Sequence, residues 1–172
     1  MIGTISGTRV LLPAKSELEG FFGKESPNGF ELSLVEAYYL LKKGKLTLKF
    51  ENKKLNEKIA FSLFCGLDAE FPQKDSVFTD LRERGFVVKT GFKFGTHFRV
   101  YERGVNPYKD GSKTQKEHTK WVVHAVPEDY GLSYAEMSRA VRLAQNIRAK
   151  MLWAVVDSEN GVTYYEFLRI SP

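Results

Sequence analysis

From residue 86 onward the sequence changes its period. The stretches FVVKTGF (86–92), THFRVYER (96–103), KWVVHAV (120–126), MLWAVVD (151–157) and VTYYEFLRI (162–170) are strand-like runs. They are rich in β-branched and aromatic residues and separated by turn formers. One helical segment, 133–148, stands between the third and fourth runs, opened by a capping box of Ser133 and Glu136. This half of the chain must therefore be built around a sheet. The half before it reads differently. Residues 1–12 give one or two short strands, and 15–32 read as loop, punctuated by Gly20, Gly23, Pro27 and Gly29. Ser33 and Glu36 form a capping box for a helix that Gly44 ends. Residues 45–50 alternate as a strand. From Asn56 to Phe71 an apolar helical face of Ile59, Leu63 and Leu67 recurs until Pro72 breaks it, and 74–85 read as a further helix stopped at Gly85. The boundary between the halves falls near Gly85, giving domains 1–84 and 85–172.

A chain of 172 residues fits one domain or two small ones sharing an interface. Cys65 is the one cysteine and cannot form an internal disulfide, which fits a reducing, cytoplasmic setting. The N-terminus lacks the basic and apolar regions of a signal peptide, and no apolar run approaches the length of a membrane span. The excess of 26 Lys and Arg over 21 Asp and Glu suits a polyanionic partner. His97, His118 and His124 have no partners at zinc-ligand spacing, and no phosphate-cradling glycine loop or nucleophile elbow is present. Neither a metal nor another cofactor is expected. Asp157 and Glu159 bracket a turn but lack the lysine that a metal-dependent nuclease would place after them.

The loop 101–121 begins with Tyr101 and carries His118 just before an apolar strand. A tyrosine hydroxyl titrates near 10 and histidine near 6.5, so histidine exchanges protons near neutrality. Such a pair can cleave RNA without metal. One group removes the 2′-OH proton, the other protonates the departing 5′-oxygen, and a cation stabilises the anionic phosphorane between them. The plainer reading is a solvated loop histidine and a tyrosine packed at a strand end, and residue types alone favour it. On the helix 133–148, Met137, Val141 and Ala144 share a face suited to the sheet, while Arg139, Arg142, Asn146 and position 149 fall along another. Arginines in line can bind phosphates or stack on unpaired bases. A solvated helix face is an equal reading.

The segment DLRERGFVVKTGFKFGTHFRVYERG (80–104) resembles the archaeal tRNA-splicing endonucleases. The similarity continues through KEH, VRLAQNIR and LWAVVD, and back to LSLVEAYYLLKKG. The resemblance implies an α/β (α+β) fold: an N-terminal mixed helix/strand domain packed on a C-terminal nuclease domain whose mixed β-sheet is flanked by helices. It implies an enzyme that cuts precursor tRNA at intron boundaries folded as a bulge–helix–bulge, without metal, leaving 2′,3′-cyclic phosphate and 5′-hydroxyl ends. The family tyrosine falls on Tyr101 as general base and the family histidine on His118 as general acid. Arg142 matches a position that grips a bulged base, with Arg139 and Lys150 as further RNA contacts. The family lysine falls on Ala149, and Lys150 follows one residue later. Three readings arise: a deliberate lysine-to-alanine change, a natural subunit with an impaired site, or a local shift that lets Lys150 serve. The first is favoured because Tyr101 and His118 are both retained. His97 stands where relatives often carry an acidic residue and is given no role. The resemblance further implies a homotetramer, a dimer of dimers. Its last strand, with Tyr164 and Phe167, pairs with a second subunit, and Asp157 and Glu159 dock on a neighbour. The alternative is a non-catalytic RNA-binding or structural subunit of a heteromeric endonuclease.

Overall fold

The computed structural model describes residues 1–13, 18–27, 29–91, 93 and 95–170. The chain divides into two compact units, Met1–Asp75 and Ser76–Pro172, and the dividing point falls inside a helix, upstream of Gly85.

The first unit contains β1 (Ile2–Ser6), β2 (Arg9–Leu12), β3 (Lys24–Ser26), β4 (Gly29–Ser33), α1 (Leu34–Lys42), β5 (Thr47–Phe50), β6 (Lys53–Lys54) and α2 (Glu57–Leu67). The start of α3 (Phe71–Glu83) also belongs to it. Its six-stranded sheet has the order β3-β4-β2-β1-β5-β6. The β1–β5 pair is parallel and the other pairs are antiparallel. Two of these strands, β3 and β4, lie where a loop was expected. Phe30 and Leu32 alternate with Glu31, and both bury their side chains as β4 pairs with β2. The glycines that suggested loop instead turn the chain: Gly23 and Gly29 have φ of 65° and 113°. Residues 14–17 and 28 of that expected loop lie outside the described residues.

Helix α1 starts as its capping box predicts. The Ser33 hydroxyl accepts from the Glu36 N–H at 3.4 Å, and the Glu36 carboxylate accepts from the Ser33 N–H at 3.0 Å. That carboxylate, only 3% exposed, also accepts from the Gly23 N–H at 3.0 Å. One side chain thus caps the helix and fixes the turn before β3.

Helix α2 is rotated from the expected face. Ile59 is 52% exposed, and the buried residues are Ala60 and Phe64. Size decides this: Phe64, Phe61, Tyr38 and Phe71 form one aromatic cluster with centroid separations of 5.3–6.2 Å. Pro72 breaks nothing. The helix α2 already ends at Leu67, capped by Asp68, and Pro72 sits in the first turn of α3, where a missing N–H costs no hydrogen bond.

The second unit contains the rest of α3, β7 (Val87–Thr90), β8 (Phe98–Tyr101), β9 (Trp121–Pro127), α4 (Tyr134–Asn146), β10 (Lys150–Val156) and β11 (Val162–Phe167). The expected strand runs all appear, although Phe92, at the end of the first, lies outside the described residues. The five-stranded sheet has the order β11-β10-β9-β8-β7 and is mixed. Its one parallel pair, β9–β10, needs a crossover, which α4 supplies. As its period predicts, α4 buries Val141 and Ala144, with Met137 beside them, against Val122, Val126, Met151 and Trp153. On the other face Phe78 of α3 packs on Phe98 with centroids 5.9 Å apart. The Tyr164 hydroxyl on that face donates to Asp80 of α3 at 2.7 Å. The fold is therefore α+β, with a C-terminal mixed sheet flanked by helices. Among the described residues no helix is long and apolar enough to cross a membrane.

Candidate active site

Three chain segments meet at one end of the five-stranded sheet. β8 finishes at Tyr101, while β9 and β10 begin at Trp121 and Lys150. Because β8 is antiparallel to β9 and β9 is parallel to β10, the end of the first and the beginnings of the other two coincide. Backbone bonds zip them together: the Lys120 N–H donates to the Val100 carbonyl at 2.8 Å, and the Lys150 N–H to the Lys120 carbonyl at 3.0 Å. Tyr101, the segment following His118 and the 149–150 junction are thus adjacent although far apart in sequence.

Strand alternation sorts their side chains. Arg99 and Met151 both stand opposite Val122, which lies under α4, so Tyr101, two residues beyond Arg99, points to the α4 face. Ala149 belongs to the same cluster under α4 and is 8% exposed. Lys150 stands opposite Trp121, one step out of phase with Met151, and so takes the other face. There its ammonium lies 3.0 and 3.1 Å from the Glu166 carboxylate oxygens.

One expectation about this junction needs correction. Position 149 does not continue the arginine face of α4. The helix ends at Asn146, Ile147 caps it, and Arg148 takes a left-handed φ of 56°, which turns the chain into β10. Residues 149 and 150 therefore point to opposite faces of the sheet. Arg139, Arg142 and Asn146 do remain exposed along α4. Ala149 borders an open cleft of about 330 Å3 whose walls include Val141, Ala144, Gln145 and Phe167. A longer side chain at 149 has space there.

His118 is exposed and ends a short 3-10 turn, Gln115–Glu117. Glu117 holds that turn. Its carboxylate accepts from the Thr114 N–H at 2.7 Å and the Thr114 hydroxyl at 2.9 Å, and pairs with Lys109 at 2.5 Å. The Lys109 ammonium, reinforced by Thr114, holds the Glu117 carboxyl well below the usual range, at about 2. At the base of the loop Lys120 pairs with Glu102 at 2.5 Å, and its ammonium lies 4.1 Å from the Trp121 ring centroid. Sequence reasoning missed this clip, although Thr114 and Glu117 have the spacing of a capping box. Tyr101 is 4% exposed, with the Arg99 guanidinium 5.9 Å from its ring. His97 serves the sheet: its Nδ1 accepts from the Ala125 N–H at 2.9 Å.

Three of the residues expected to pair subunits, Asp157, Tyr164 and Phe167, already have partners in the chain. Asp157 accepts from the N–H groups of Glu159 and Gly161 at 2.9 and 2.8 Å, so it shapes its own turn, while Glu159 is exposed. Burial and the Asp80 carboxylate push the Tyr164 phenol upward. Phe167 packs on Trp153 at 4.7 Å. The exposed apolar side chains here are Tyr165, Leu168 and Ile170. Among the described residues β11 pairs with β10 alone.

With the site in view, the whole sequence can be set beside known proteins. It matches the model of the tRNA intron endonuclease N-terminal domain over residues 1–59 and that of the catalytic C-terminal domain over 71–164. The chain belongs to the tRNA intron endonuclease family. The second match spans Tyr101, His118 and Ala149. The tRNA-splicing endonuclease of Thermococcus kodakarensis is 38% identical over 167 residues, covering 94% of each chain. That of Nanoarchaeum equitans is 34% identical over 171 residues, 99% of this chain and 97% of the relative. That of Methanococcoides burtonii is 40% identical over 88% of this chain, which spans only 42% of that longer protein.

Proposed function

We propose that this protein is an endoribonuclease that cuts precursor tRNA at intron boundaries folded as a bulge–helix–bulge. The observation that carries the reading is the meeting of Tyr101, the His118 loop and Ala149 at one sheet end, with Tyr101 and Ala149 on one face. Tyr101 takes the proton from the 2′-OH, whose oxygen attacks the adjacent phosphorus. The bond to the 5′-oxygen breaks, and His118 protonates that oxygen as it leaves. The products are a 2′,3′-cyclic phosphate and a 5′-hydroxyl, and no metal takes part. Arg142, with Arg139 on the same exposed helix, holds the bulged RNA by stacking and phosphate contact. The phosphorane lacks the cation that position 149 would supply, because Lys150 is held by Glu166 on the opposite face. This chain therefore binds its RNA well and cuts it slowly. Four copies assemble as a dimer of dimers, in which β11 edges pair two copies and the loop carrying Asp157 and Glu159 docks on a neighbour, in the cytoplasm, where Cys65 stays a thiol.

The apolar setting of Ala149 also favours a second reading, a structural subunit that needs a catalytic partner chain. Incubating the purified chain with bulge–helix–bulge RNA in EDTA separates the two. Slow cleavage at the two bulges, with cyclic phosphate ends, supports the first. Tight binding with no cleavage, restored only by a second chain, supports the other.

A further inference from the structure

The unit Met1–Asp75 holds 11 Lys and Arg against 10 Asp and Glu, so it is close to neutral. Its charge is not evenly spread. Residues 42–58 carry Lys42, Lys43, Lys45, Lys49, Lys53, Lys54 and Lys58 against Glu51 and Glu57 alone. Most of that stretch is the β5–β6 hairpin and its flanks. The register places Lys49 directly opposite Lys54. Like charges facing each other across two strands repel. At the far end of the same sheet the facing charges are complementary, with Lys24 opposite Glu31 and 3.8 Å from it. Lys49 and Lys54 continue that same cross-sheet row through Glu31, Leu11 and Thr4. Among the described residues, none of Lys45, Lys49, Lys53, Lys54 and Lys58 has an ion-pair partner.

The turn adds a second cost. Glu51 takes a left-handed φ of 48°, which glutamate rarely adopts, whereas Asn52, at 63°, is suited to that region. The hairpin thus combines a residue in strained backbone, a like-charge cross-strand pair and lysines that have no ion-pair partner among the described residues. Local conflicts of this kind collect where a protein meets a ligand. The chemistry that would relieve all of these lysines together is a row of phosphates.

We propose that the β5–β6 hairpin grips the phosphate backbone of the RNA substrate, as a contact separate from the site at the sheet end of the second unit. This rests on the reading of the protein as acting on precursor tRNA. The competing role is edge protection, since lysines on an edge strand also block unwanted strand pairing.

Charge substitution separates the roles, because Glu guards an edge as well as Lys does. Lys54→Glu turns the repulsive pair into an attractive one, so its Tm should equal or exceed the parent's. Its affinity for full-length precursor tRNA should fall about tenfold, and the slope of log affinity against log salt should shrink by about one. Lys53→Gln/Lys54→Gln should shrink the slope by about two without lowering Tm. Parent affinity and parent slope in both variants would overturn the proposal, leaving the lysines to edge protection or to an acidic protein. Failure of the parent itself to bind precursor tRNA would overturn the functional reading, and this contact with it.

Discussion

Ala149 and Glu117 show how single side chains set the chemistry at this sheet end. Ala149 faces the α4 side with Tyr101, and Lys150 cannot reach that side without leaving Glu166. Removing one preorganised charge from a transition state typically costs about a hundredfold to a thousandfold in rate. Ala149→Lys should restore that factor in single-turnover cleavage, in EDTA, with affinity little changed. Adding Tyr101→Phe or His118→Ala should abolish the gain. A normal cleavage rate in the chain as it stands would disprove the assignment of the missing cation to 149. Glu117 gives a prediction about pH. Its folded value of about 2 lies below that of an unfolded glutamate, near 4.3. A depressed carboxylate contributes stability that is full above the unfolded value and lost as pH falls through the folded one. The clip beneath His118 should therefore hold unchanged across the neutral range and weaken progressively as pH falls from about 4.3 toward about 2. Limited proteolysis of the 101–121 loop should be flat across the neutral range in the parent. Glu117→Ala should be cut faster throughout that range; equal rates would mean that Glu117 does not hold the loop.

At the scale of elements, caps and aromatic packing decided outcomes that periodicity left open. The capping box at Ser33 and the Ser133 hydroxyl, which caps the Glu136 N–H, started α1 and α4 where expected, because each satisfies helix N–H groups locally and needs no distant partner. The face of α2 could not be read in that way. An apolar residue occurs at most positions of its sequence, and the choice among them was made by Tyr38 and Phe71 on neighbouring helices. Phe64→Ala should cost about 3–5 kcal/mol, since it empties a site with no exposure. Ile59→Ala should stay within about 0.5 kcal/mol, as for most surface changes. Chemical denaturation monitored by circular dichroism measures both. A large loss for Ile59→Ala would restore the face that the sequence suggests.

For the whole molecule, β11 is the element through which assembly is expected. Among the described residues one edge of β11 is unpaired, and exposed Tyr165, Leu168 and Ile170 invite pairing there. We expect a tetramer in light scattering at micromolar concentration. Asp157 is a poor probe of the loop contact because it also holds its own turn. Glu159 has no such duty, so Glu159→Lys should shift the tetramer toward dimers with the fold intact. A monodisperse parent monomer would rule out this assembly.

Taken alone, the amino-acid sequence determined the elements whose signals are local. These are the strands β7 to β11 with α4 between β9 and β10, the two capped helices, and the candidates Tyr101 and His118 through the segment that resembles the family. Alternation, capping and short motifs act over a few residues and survive without a third dimension. Tertiary structure decided three further matters. It made strands of 24–26 and 29–33, because Phe30 and Leu32 gain their burial only when β4 pairs with β2. It rotated α2 onto its aromatic partners. It also set Ala149 and Lys150 on opposite faces, because the helix stops at Asn146 and a left-handed Arg148 begins the strand. Each outcome depends on which surface a side chain meets, and that surface is supplied by residues far away in the chain.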